Sequence, residues 1–291
     1  MSETTASLSR KIRSAGDLQS VVRTMKALAA ASIGQYEKSV SALGDYYRTV
    51  ELGLGACFRE APPAVSNGRS ETPVISAVVF GSDQGLVGQF NDVVADFAIK
   101  TLADLPGEPG VWAVGERVHS RLSDAGLPML GLLAVPSSVK AITPLVGRIL
   151  VESEAQQSLH EGTELHLFHN RPTAGSVYTP VTKRLLPLDD QWGRELAELP
   201  WPTKLPPEVM GSRSTSLRAL IREYLFVSLF RSCAESLASE NASRLAAMER
   251  ADRNIDELLE DLHGSFHRLR QSGIDEELFD LIAGFEALKD R

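Results

Sequence analysis

The chain reads as an α/β protein: a long antiparallel, left-handed coiled coil of N- and C-terminal helices plus a Rossmann-like open α/β domain. Three observations predict this. All 15 prolines fall between Pro62 and Pro207, leaving 1–61 and 208–291 with none. Apolar residues in both flanks recur at steps of four and three, the seam of a left-handed coiled coil. Between the flanks, short β-branched runs alternate with helical stretches, the grammar of a largely parallel sheet.

A proline inside a helix removes a hydrogen bond and clashes with the preceding turn, so a proline-free flank permits a long helix. In 1–61 the seam runs Leu8, Ile12, Ala15, Leu18, Val22, Met25, Ala29, Ile33, Tyr36, Val40, Leu43, Tyr47, Val50 and Leu54. Gly16-Asp17 marks a break near its start, with Asp17 as a fresh N-cap. In 208–291 the seam is Ile255, Leu259, Leu262, Phe266 and Leu269, followed after a phase slip near Gly273 by Ile274, Leu278, Leu281, Phe285 and Leu288. Leu217 to Leu237 is apolar on more than one face and is expected to be buried where the helix meets the central domain. Fully helical, the flanks would extend roughly 90 and 125 Å. That exceeds a compact domain of the intervening size, about 30 Å across. The economical arrangement is a pair of helices covering each other's stripes, the C-terminal one overhanging.

The central domain, 62–207, opens with a strand at Val74 to Phe80. Gly81 to Gly88 turns the chain and Asn91 to Leu102 reads as a helix. Val111 to Val114 is a second strand, Glu116 to Asp124 a short helix and Leu127 to Val135 a third strand. A longer helix covers Ser138 to Leu159, and strands at Glu164 to Asn170 and Ser176 to Leu186 complete the sheet. The Pro-rich, acidic stretch Leu188 to Gly211 is read as a surface return.

Composition narrows the function. A hydrophobic fraction of 43% with 23% charged residues is that of a folded domain. A net charge of -8 argues against a general nucleic-acid binder, which needs clustered Lys and Arg. No stretch approaches the roughly 20 apolar residues of a membrane span, and the polar N-terminus has no secretory h-region. Cys57 and Cys233 lie far apart without metal-ligand spacing, which fits a reducing cytoplasm.

Chemistry is sparsely signalled. The turn Gly81-Ser82-Asp83-Gln84-Gly85-Leu86-Val87-Gly88 follows the first strand, where α/β folds bind phosphates. Its glycines lie four and three apart, and no Gly-Lys-Ser/Thr follows, so a structural turn built on Ser82, Asp83, Gly85 and Gly88 is the better reading. His166 and His169 are three apart on a strand and point to opposite faces, so they cannot share a metal. No catalytic set, cofactor or metal is expected. The competing readings are an α/β small-molecule or nucleotide-binding enzyme that dimerises through its helices, and a homotypic coiled-coil scaffold.

Several segments, taken in order, resemble the γ subunit family of rotary F-type ATP synthases. Ile12 to Ile33 (IRSAGDLQSVVRTMKALAAASI) looks like that family's opening segment. Ser82 to Asn91 (SDQGLVGQFN) is similar to its S-D-R-G-L-C-G-x-x-N turn. Leu237 to Met248 (LASENASRLAAM) matches L-x-S-E-x-x-x-R-x-x-A-M, and Arg270 to Leu278 (RQSGIDEEL) matches R-Q-x-x-I-T-x-E-L. The resemblance implies a non-catalytic central shaft inside a hexamer of α and β subunits, with its α/β domain on the ε subunit and the c-ring. The chain would then lie peripherally on the cytoplasmic face of the cell membrane, coupling ion flow to ATP synthesis or hydrolysis.

The resemblance also assigns contact roles. It implies rotor–stator and coupling contacts at Met25, Lys26, Arg244, Gln271, Asp275 and Glu277. Asp275 stands where Thr is usual, Lys26 where an acid is common and Val87 where Cys is usual, departures that point to a divergent branch. The apolar last turns, Leu278, Leu281, Ile282, Phe285 and Leu288, are expected to sit in a greasy bearing of the hexamer.

Overall fold

The structure, a computed structural model, describes residues 4–60, 74–159, 163–173, 176–188, 190–205, 207–208 and 212–289. Its elements run α1 (Thr5–Glu60), β1 (Ile75–Phe80), α2 (Phe90–Ala103), β2 (Pro109–Val114), α3 (Glu116–Asp124), β3 (Met129–Leu133), α4 (Val139–Leu159), β4 (Glu164–Thr173), β5 (Ser176–Leu186), α5 (Asp190–Glu198) and α6 (Arg213–Lys289). The chain divides into two compact units, 30–244 and the pair of segments 1–29 and 245–291.

In the unit formed by 30–244, the sheet has the order β3-β2-β1-β4-β5. β1 pairs in parallel with both β2 and β4, and β2 with β3, while β5 closes the edge antiparallel to β4. Every residue of β1 is buried, because helices cover both sheet faces. The alternation of a strand then sends Ile75, Ala77 and Val79 into one core with α2 and α3. Val78 and Phe80 enter the other, with Ile142 and Val146 of α4 and Leu229, Cys233 and Leu237 of α6. The multi-faced apolar run Leu217 to Leu237 is thereby explained: it serves this core and a third cluster.

That third cluster corrects the expected surface return. Residues 190–198 form α5, whose Leu196 is buried against Val50, Leu54, Phe58 and Tyr224, with Trp192 alongside. Flanking prolines masked a single amphipathic stretch. A second correction concerns Gly16, where α1 continues unbroken. With four-residue hydrogen bonds made on both sides, one glycine costs about 1 kcal/mol and does not end a helix whose seam is buried.

In the other unit, the early part of α1 and the late part of α6 pair antiparallel. As α1 advances from Leu8 to Val22, its neighbours on α6 retreat from Leu269 to Met248. From Leu8 to Tyr36 the buried positions of α1 fall at a strict interval of seven, Leu8, Ala15, Val22, Ala29 and Tyr36, with Val50 in the same phase. A sustained seven-residue repeat underwinds the helix and imposes the left-handed supercoil. Leu18, expected in the seam, is 54% exposed; the partly buried positions between those residues include Ile12, Gln19, Lys26 and Ile33, each four past one of them, and Leu18 falls one short of that series.

Candidate functional site

The glycine turn is tied at every corner. Ser82 N donates to Asn91 Oδ1 at 2.9 Å, and Asn91 Nδ2 donates back to Ser82 Oγ at 2.9 Å. Asp83 accepts from two segments at once, from Glu116 N at 3.1 Å and from Val135 N at 3.0 Å. Ser82 O receives Arg117 N at 3.0 Å. The N–H groups of Glu116 and Arg117 at the start of α3 are therefore engaged. A Cβ on Gly81 would come within 2.4 Å of Val118 Cβ, so the close approach of β1 to α3 requires glycine there. Gly88 adopts φ 57 and Leu86 φ 62, the left-handed conformation that reverses the chain. Gly85, by contrast, has room for a side chain.

Against this turn and the neighbouring strand lies a buried polar face of α6. Ser239 Oγ donates to Asn170 O at 3.0 Å, and Ser243 Oγ donates to Val87 O. Asn170, itself fully buried, donates from Nδ2 to Phe90 O at 2.9 Å. One turn earlier on the helix, Glu235 gathers three donors: His169 Nε2 at 2.9 Å, Arg171 Nε at 2.9 Å and Arg231 Nε at 2.8 Å. Burial alone would raise the Glu235 carboxyl, but hydrogen bonds from His169, Arg231 and Arg171 outweigh it and hold it down at about 2. Burial pushes His169 below the ordinary imidazole value against the pull of Glu235. The neutral ring then carries its proton on Nε2 toward the carboxylate, leaving Nδ1 without a partner among the described residues. Two turns before Glu235, Lys183 Nζ of β5 donates to Ser228 Oγ at 3.3 Å and lies over the rings of Tyr47 and Tyr224.

The residues singled out from the sequence occupy three settings. Arg244 belongs to the unit of the sheet, where its side chain is 13% exposed and pairs with Glu240 at 2.7 Å. Glu240 is raised by burial despite this arginine, and its second oxygen has no partner among the described residues. Met25 packs half-buried in the coiled-coil seam beside Met248 and Ile255. Lys26 lies 3.9 Å from Asp252, which Arg23 also holds at 3.0 Å. Gln271, Asp275 and Glu277 are exposed.

Among the described residues no helix faces the expected seam beyond Leu269. Gly273 leaves α6 helical, and Ile274, Leu278, Leu281 and Ile282 are exposed by 54%, 53%, 72% and 47%. The side chains of Phe285 and Leu288 lie outside the described residues. Sequence reasoning missed the polar face at Glu235, Ser239 and Ser243. Its signal was the four-residue spacing of polar groups inside an otherwise apolar run.

Comparison with known proteins gives these surfaces a context. Residues 4–288 match the family described as ATP synthase. The ATP synthase gamma chain of Sorangium cellulosum is 26% identical, with 98% of each chain covered. That of Rubrobacter xylanophilus is 28% identical, with 97% of each covered. Among solved structures, a rotor chain of the Euglena gracilis mitochondrial ATP synthase superposes with a TM-score of 0.64 at 12% identity, covering 93% of this chain and 98% of that one. A central-stalk/c-ring chain of the Tetrahymena thermophila enzyme gives 0.59 at 20% identity, covering 79% and 99%. At those identities the likeness is one of fold. The chain belongs to the ATP synthase family, in its gamma branch, the central rotor stalk of F-type ATP synthases. Among the described residues no helix is long and apolar enough to cross a membrane.

Proposed function

We propose that this chain turns inside a hexamer of alternating α and β subunits, coupling ion translocation through a c-ring to ATP synthesis or hydrolysis while catalysing neither itself. Its α/β body bears on the c-ring and the ε subunit, and it reaches the cytoplasmic face of the membrane only through them. Met25, Lys26, Arg244, Gln271, Asp275 and Glu277 are assigned to coupling contacts, and the last turns of α6 to the bearing.

The observation that carries this reading is the uncovered apolar stripe Ile274, Leu278, Phe279, Leu281 and Ile282 on a helix that has outrun its partner. Phe279, the largest of these side chains, is 69% exposed. Because each is about half to three-quarters exposed, an apolar sleeve covering them would recover about 1–2 kcal/mol for each. Affinity capture of the tagged chain tests it: α, β, ε and c subunits are expected to come with it. Deleting 279–291 is expected to weaken that recovery. Capture of the chain alone, or wild-type assembly and rotation after the deletion, would defeat the respective part of the proposal.

A further inference from the structure

We infer that the buried polar face of α6 is the load-bearing joint between helix and sheet, with Glu235, Ser239 and Ser243 as its positioning residues. The inference rests on the rotor reading and adds the place where torque passes from the α/β body into the helix.

These three residues recur at every fourth position, so they share one face of α6. Each is at least nine-tenths buried, and each engages a different anchor on β4 or the glycine turn. Glu235 holds two side chains of β4, Ser239 a carbonyl of β4, and Ser243 the carbonyl of Val87 in the glycine turn. The anchors are themselves fixed. Asn170 bonds Phe90 O across to the start of α2, and Asn91 closes on Ser82. Asp83 spans the approaches to α3 and the segment after β3.

Apolar packing opposes separation of two elements but is non-directional, so a helix under rotational load can roll onto neighbouring rotamers. Hydrogen bonds between buried groups hold an angle. A roll of α6 by one residue, about 100°, would carry all three residues off their partners and strand buried polar groups. Rotation about its own axis is the load that a rotor helix receives. From Ser243 onward α6 continues without interruption, so the angle set at this joint is carried by its own backbone.

The test uses the assembled complex in vesicles. Ser239→Ala/Ser243→Ala is expected to leave unloaded ATPase near wild type. ATP synthesis driven by a high ion-motive force should fall by tenfold or more, on the order of tenfold being the scale of one lost buried hydrogen bond and this variant removing two. Single-molecule rotation should slip at a lower drag load. His169→Ala is expected to lower that load limit, whereas His169→Gln, which keeps an N–H donor toward Glu235, retains it.

Synthesis and load limit equal to wild type in the double variant would overturn the inference, as would a proportional fall in ATPase and synthesis. If the double variant fails to assemble, the two His169 variants decide, and equal load limits overturn it. A wild-type chain that neither assembles nor rotates refutes the rotor reading instead.

Discussion

One helix, α6, is held in two ways along its length. From Met248 to Leu262 it meets α1 through Met248, Ala251, Ile255 and Leu259, with Arg23, Lys26 and Asp252 at the margin. From Ser228 to Ser243 it presents Ser228, Glu235, Ser239 and Ser243 to the α/β body, each buried and bonded to a defined partner, amid apolar neighbours from Leu225 to Leu237. The first contact is stiff because its knobs repeat; the second is oriented because its bonds have directions. An apolar seam accepts substitutions that conserve volume, at under about 1.5 kcal/mol. A buried polar contact accepts only a group that restores the same donor or acceptor.

The comparison is broken most severely at Glu235. Glu235→Ala is expected to destabilise the fold by about 3 kcal/mol, near the lower end for a broken buried pair because Arg171 and Arg231 can rehydrate. Urea unfolding of the chain measures this, and a loss under about 1 kcal/mol would reduce the cluster to the level of an exposed ion pair. Ile255→Ala comes next, at about 2 kcal/mol from lost burial and a partly closed cavity. Ile255→Leu in the same assay should cost much less, and equal costs would mean that the seam demands shape as strictly as the polar face demands partners.

A smaller effect follows from pH. His169 is neutral in the folded chain because burial lowers its pKa below 6.5. As pH falls through 6.5 the unfolded chain takes a proton that the folded chain refuses, so stability declines until the folded pKa is reached. The expected loss between pH 7.5 and 5.5 is up to about 1 kcal/mol. Glu235 contributes in a separate window, its stabilisation being lost only as pH falls from 4.5 toward 2. Glu240, raised by burial, works in the opposite sense, so the quantity to measure is the difference between wild type and His169→Gln across this range. A flat difference would remove His169 as the source. The smallest effect is expected at the seam's margin. Asp252→Asn should cost less than about 1 kcal/mol, since Arg23 is 57% exposed, and high salt should abolish the difference.

Much of the architecture was legible from short-range pattern alone. The heptad interval from Leu8 to Tyr36, the β-branched run at Val74 to Phe80 and the proline-free flanks each report on neighbours a few residues away, where helix and strand periods are set. Hydrophobic period therefore determined which segments are helix or strand, and which face of each seeks cover. It did not reveal α5, because prolines around 190–198 resemble a loop until Leu196 is seen to have a pocket to fill. Nor did it distinguish a serine that faces water from one that grips a carbonyl. Ser239 and Asn170 are 69 positions apart, and Ser243 and Val87 are 156 apart. Such pairings belong to the tertiary structure because a hydrogen bond requires both partners within about 3 Å at a defined angle, a condition that no single stretch of chain contains.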